Sequence, residues 1–200
     1  MRGMPIRLLQ VIAAGLAALV LGLALFWHPE PPPRAIPRPV EPPGGDFTLR
    51  SGDGPVALAD LRGKVVLVYF GYTYCPDVCP TALTGLAEGL KTLGPEEAAG
   101  VATLFVSVDP DRDTPAHLKE YVAFFHPGIV GLTGSPAEVA EVARRYGVYY
   151  ARQKAATAGG AYVVDHTSET YVLGRDGRLA GRIPHGASPE RVAAEIRKFL

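Results

Sequence analysis

Asparagine is absent from this sequence, and glutamine occurs only at Gln10 and Gln153, whereas proline crowds the loops. Few thermolabile amides and stiff loops make up the composition of a heat-adapted protein, and a skewed genome gives the same bias. The absence therefore says nothing about chemistry. An excess of charge of either sign is also missing. The chain carries 20 Lys and Arg against 20 Asp and Glu, a formal net charge of +0, so no global field recruits nucleic acid or an acidic surface. Cysteine is scarce: Cys75 and Cys79 are the only 2 in 200 residues, too few for a disulfide framework. A bridge between them would close a loop too short to stabilise much. No internal repeat is visible.

What the chain has in quantity is apolar residues, 48% of the total. That suits one well-packed domain of about 150 residues and a short extra segment. Residues 11–27 carry no charge. Extended by Leu8, Leu9 and Gln10, this run is long enough, at about 1.5 Å per residue, to span a hydrocarbon core of roughly 30 Å. A cleaved signal peptide has a shorter apolar core and a small-x-small site, and none precedes Trp27. An uncleaved transmembrane helix within 1–27 is expected, with Trp27 at the interface. Arg2 and Arg7 before the span nearly balance Arg34 and Arg38 after it; the short N-terminus is expected inside and the globular domain outside. His28 to Gly45 holds eight prolines, at 29, 31, 32, 33, 37, 39, 42 and 43. Such a segment favours polyproline II and would act as a stiff spacer of up to roughly 55 Å.

Residues 46–200 form the expected globular domain. Val65–Phe70 and Val101–Val108 are nearly continuous apolar runs, the pattern of strands covered on both faces. Thr114-Pro115, Ser135-Pro136 with Glu138, and Ser188-Pro189 with Glu190 are helix starts: a capping hydroxyl, then a proline where no amide partner is lost. Thr170–Leu173, Gly174–Gly177 and Arg178–Ile183 read as a β-hairpin. A short hairpin, alternating strands and helices, a second hairpin and a last helix predict an α/β, thioredoxin-like fold with a mixed central sheet flanked by helices. A plain doubly wound sheet is the competing arrangement.

The two cysteines lie in Gly71-Tyr72-Thr73-Tyr74-Cys75-Pro76-Asp77-Val78-Cys79-Pro80, after the first apolar strand and at the start of a helical pattern. Pro80 as first helical residue makes Cys79 the expected N-cap, with Cys75 in the loop before it. Unpaired amides and the helix dipole favour thiolates there, and the Asp77 carboxylate opposes them. Two thiolates underfill most metal sites, so a third ligand must come from elsewhere. Of the five histidines, His28 lies at the membrane exit, and His117 and His126 read as surface or capping residues of one helix. His166, in a loop leading into the strand at Thr170, is expected to abut the cysteine loop; His185 is the rival, at the far end of the hairpin. A Cys2His set suits Cu(I), can hold Cu(II), and accepts zinc with a water.

The cysteine string resembles the signature of the Sco (SenC/PrrC) family, membrane-anchored thioredoxin-like copper proteins. The likeness continues through Val106–Pro115, Gly131-Leu132-Thr133-Gly134 and Asp165-His166, and so covers residues 46–200. The resemblance implies copper as the metal, held by Cys75, Cys79 and His166. It implies assembly of the dinuclear copper-A centre of cytochrome c oxidase subunit II as the function. That oxidase subunit is then the partner, with another periplasmic copper chaperone as a further one, and the outer face of a bacterial cytoplasmic membrane is the location. Asp109–Pro115 itself reads as a turn and helix cap. Relative to thioredoxins, Ser168 stands where a cis-proline usually lines the exchange site, which favours metal holding over generic thiol exchange. The alternative is an enzyme, a thiol-disulfide oxidoreductase in which Cys75 and Cys79 are the catalytic redox pair and keep the oxidase's copper ligands reduced. A peroxidase of the peroxiredoxin type is disfavoured, because residues 72–79 lack the Pro-x-x-x-Thr-x-x-Cys context.

Overall fold

The computed structural model describes residues 10, 15, 16, 19, 44–153 and 162–200. The chain divides into two units, Met1–Pro37 and Arg38–Leu200. Among the described residues no helix is long and apolar enough to cross a membrane. The span expected within 1–27 and the spacer expected over 28–45 fall almost wholly outside the described residues.

The larger unit opens with the hairpin β1 (Thr48–Ser51) and β2 (Gly54–Ala57), followed by a 3-10 turn at Leu58–Leu61. Then come β3 (Val65–Gly71), α1 (Val78–Lys91), the short α2 (Pro95–Ala99), β4 (Val101–Ser107), α3 (Pro115–Phe125), β5 (Ile129–Leu132) and α4 (Pro136–Arg145). The last part holds β6 (Tyr150–Gln153), β7 (Val163–His166), β8 (Thr170–Leu173), β9 (Leu179–Ile183) and α5 (Pro189–Arg197). The main sheet runs in the order β5-β4-β3-β8-β9. β3 and β4 pair in parallel, as do β4 and β5, while β8 lies antiparallel to both β3 and β9. This is the mixed sheet expected from the sequence, not the doubly wound alternative.

All seven residues of β3 are buried, as a run of β-branched and aromatic side chains requires when both faces are covered. Phe70, Tyr146 and Tyr171 meet at ring distances of 5.6 to 5.7 Å in the core, in the tilted and edge-on geometries that aromatic quadrupoles favour. The three predicted caps form. Thr114 Oγ1 accepts from the His117 amide, Ser135 Oγ from that of Glu138, and Ser188 Oγ from that of Arg191. Glu138 returns a bond to the Ser135 amide at 2.6 Å, completing the capping box.

Two local expectations need correction. Helix α1 starts at Val78 with Asp77 as N-cap, so Cys79 is the second helical residue and Pro80 the third. Proline is tolerated there because the first four amides of a helix have no intrahelical acceptor. His166 is also not a loop residue: it ends β7, which pairs antiparallel with β6 and places Tyr150 opposite His166. β6 reads Tyr-Ala-Arg-Gln and is half-exposed to exposed, so it carries no apolar run to announce it.

Helix α1 packs on α5 through Gly89, where a Cβ would sit 2.5 Å from Val192 Cγ1. Helix propensity alone would favour Gly89→Ala by about 1 kcal/mol, but the packing decides the sign. Gly89→Ala is expected to destabilise the domain by about 1–3 kcal/mol, measured as a lower urea midpoint with unchanged slope.

Candidate metal centre

Strands β3 and β4 end in register, Gly71 opposite Ser107, so the loops that follow them leave the sheet side by side. The first carries Cys75, whose amide donates to the Tyr72 carbonyl. Cys79, in the first turn of α1, is fully buried, and its amide donates to Cys75 Sγ at 3.4 Å. Gly71 makes room for it: a Cβ there would lie 2.8 Å from Cys79 Sγ, 2.9 Å from Phe105 and 3.1 Å from Tyr69.

His166 comes in from β7. Its Nδ1 lies 2.9 Å from the Thr167 carbonyl, which can only accept, so Nδ1 carries the proton. The lone pair of Nε2 is left facing Cys79 Sγ at 3.2 Å. Tyr69 and Tyr72 meet the imidazole edge-on at 6.1 and 5.9 Å and fix its plane. Such support of the far ring nitrogen and the ring faces orients a histidine for metal.

Cys75 Sγ, Cys79 Sγ and a His166 ring nitrogen lie within 4.8 Å of one another. Thiolate and imidazole ligands at about 2.3 and 2.0 Å from one ion sit roughly 3.5–4 Å apart. The donor set therefore fits a single soft metal ion with shifts of up to about 1 Å, and two sulfurs with one imidazole suit copper or zinc.

The two thiols are not equivalent. The Cys79 thiol donates to Cys75, and this bond, against the cost of burial, holds the Cys75 thiol well below its ordinary range, at about 4; the Cys79 and Asp77 amides assist. The same bond and burial push Cys79 up. At neutral pH the pair keeps one proton, on Cys79, and Cys75 is a thiolate. Burial also raises the Tyr69 and Tyr121 hydroxyls, which stay neutral beside it.

The structure thus brings together the three residues singled out by the sequence. His185 lines a separate small cavity with Thr81, Ser168 and Pro184, outside the cluster of donors. His126 ends α3 and accepts from the Gly128 amide, as expected of a capping residue. His117 is more than a surface residue: its Nε2 lies 3.0 Å from Thr73 Oγ1, and its ring 6.0 Å from that of Tyr74. His28 lies outside the described residues. Sequence reasoning missed the supports around the donors, namely Tyr69, Tyr72, Thr73 and Asp113; only the Asp109–Pro115 string hinted at them.

A thioredoxin-like α/β domain whose first βα junction carries two convergent cysteines, met by a histidine from a late strand, defines a class of thiolate-imidazole metal proteins. The chain belongs to the SCO1/SenC family, whose model matches residues 37–200. It is 40% identical over 163 residues to the mitochondrial SCO2 homolog of Bos taurus, covering 78% of this chain and 59% of that protein. The structure of Bradyrhizobium japonicum ScoI with copper bound is similar at 42% identity and a TM-score of 0.72, over 78% of this chain and 99% of that one. Apo Sco1 from Thermus thermophilus is similar at 41% identity and a TM-score of 0.72, over 82% and 95%.

Two outcomes follow from the packing and the shared proton. Gly71→Ala, by pushing on Cys79 Sγ, is expected to weaken metal binding at least tenfold, read by competitive titration, while the variant remains folded by circular dichroism. Cys79→Ala removes the main support of the Cys75 thiolate. Alkylation of Cys75, nearly independent of pH between about 6 and 8 in the parent, should then rise steeply with pH over that range.

Proposed function

We propose that this chain is a copper metallochaperone. It holds one copper ion as cargo through Cys75, Cys79 and His166 and helps assemble the copper-A centre of cytochrome c oxidase subunit II. The convergence of the three donor atoms within 4.8 Å carries the reading. Two soft sulfurs select Cu(I), and the imidazole extends the set to Cu(II). Copper in the similar Bradyrhizobium protein supports the choice of metal. Tyr74 is exposed beside the nearly buried Cys75, which leaves an aromatic face at the site for a partner such as the oxidase subunit or a second copper chaperone. In this reading 1–27 is a single-pass anchor in the bacterial cytoplasmic membrane, 28–45 a spacer, and 46–200 the copper-binding domain on the periplasmic side.

The inequality of the thiols favours a second reading, a thiol-disulfide oxidoreductase. The Cys75 thiolate would attack a partner disulfide, Cys79 would resolve the mixed disulfide, and the partner would leave with both thiols reduced while Cys75 and Cys79 become joined. An external reductant would then restore the pair.

Copper titration of the full chain separates the two. Reduced protein is expected to bind one copper, the Cys75–Cys79 disulfide form none, and His166→Ala to lose at least about tenfold in Cu(II) affinity. Equal binding by both redox forms would remove the thiolates from the ligand set. In cells, oxidase assembly that survives His166→Ala but not Cys75→Ser would favour thiol exchange over copper delivery.

A further inference from the structure

We propose, resting on the copper-site reading above, that the turn at 109–113 is a two-sided clamp. Asp113 positions the cysteine loop and Asp109 positions the strand that carries His166, so that one short turn sets the spacing of the donors. Both aspartates are fully buried, which is costly for carboxylates unless every oxygen is bonded. Their bonds end either within the turn and its parent strand or on the two donor-bearing segments.

Asp113 accepts from Ser107 Oγ at 2.6 Å, from the Thr73 amide at 3.0 Å and from Thr73 Oγ1 at 2.6 Å. Thr73 lies two positions before Cys75. Because its hydroxyl proton goes to Asp113, His117 Nε2 donates to Thr73 Oγ1 and braces the same loop from α3. Asp109 takes the other side. Its carboxylate accepts from Arg112 Nε, from Tyr162 Oη at 2.7 Å and from Arg152 at 3.3 Å. Arg152 belongs to β6, and Tyr162 immediately precedes β7.

Arg112 joins the two sides. It donates to the Tyr162 carbonyl at 3.0 Å, and its guanidinium lies 3.7 Å over the Tyr162 ring and 4.7 Å over that of Tyr74. The turn itself is closed by the Arg112 and Asp113 amides on the Asp109 carbonyl. This matters because β6 and β7 form a two-stranded sheet of their own, outside the main one. A lone hairpin is marginally stable in water, and among the described residues no main-sheet ladder sets where His166 stands; the side chains from 109–113 do so, together with the Val164 amide donating to Tyr72 Oη at 3.2 Å and the Thr167 amide donating to the Tyr149 carbonyl at 2.9 Å.

The test uses the full chain, first without metal, by amide hydrogen exchange. Asp109→Asn, and the milder Tyr162→Phe, should speed exchange of the Val164 amide at least tenfold while that of residue 73 stays within twofold. Asp113→Asn and Thr73→Val should do the reverse. With Cu(II) added, Asp109→Asn and Tyr162→Phe should lose about tenfold in affinity and weaken the imidazole nitrogen coupling in electron paramagnetic resonance. The Asp113 and Thr73 variants should lose affinity with that coupling kept. Unchanged exchange at both amides, or a general loss of protection, overturns the clamp; so does split exchange with parental Cu(II) affinity. A parent chain that binds no copper would overturn the proposed function instead, and the metal-free exchange would still decide whether the clamp exists.

Discussion

The in-register parallel pairing of β3 with β4 is the constraint on which the rest of the molecule depends. With Gly71 opposite Ser107, two chain segments leave the same end of the sheet together, one carrying the cysteines and the other the acidic turn. Slipping a strand by one residue would send every side chain to the opposite face and would put a side chain in place of Gly71 beside Cys79 Sγ. The sheet therefore acts as a ruler. What it measures is the separation of Thr73 from Asp113, and through them the place of Cys75.

Chemistry at the centre follows from crowding and sharing. Cys79 is fully buried beside Gly71, too deep to ionise easily, while Cys75 borrows its proton as a hydrogen bond and stays charged. One sulfur is thus ready to meet a soft cation and the other must give up a proton to do so, which couples metal uptake to proton release. His166 needs no such exchange. Its proton is tied to the Thr167 carbonyl, and the free nitrogen already points at the sulfurs, so reorganisation on binding is small. Preorganisation of this kind favours rapid capture and, with one flank open at Tyr74, does not forbid release.

The fold was legible because its signals are local. Seven consecutive buried positions in β3, hydroxyl-proline caps at Ser135 and Ser188, and a turn glycine at Gly177 with φ of 76° each arise from residues within one element. The β6–β7 pair was not legible: its strands are short and half-polar, with Val164 the one buried residue of β7, and strand pairing is a non-local choice that so brief an alternation cannot reveal. The start of α1 was misread for a related reason. Proline is acceptable anywhere in the first turn, so Pro80 bounds the helix start without specifying it, and the cap fell to Asp77.

By itself the sequence determined the class of the domain and pointed to the two cysteines at a helix start and to His166 as the expected third donor, because residue type, element order and the family-like motifs carry those readings. Tertiary structure alone decided that Cys79 Sγ and His166 Nε2 lie 3.2 Å apart, which cysteine keeps the proton, and that His117, Thr73, Asp109 and Asp113 stand behind the donors. Those outcomes depend on groups as many as 87 positions apart along the chain. Only the packed sheet and its buried hydrogen bonds bring such groups within reach of one another, and no local pattern encodes that distance.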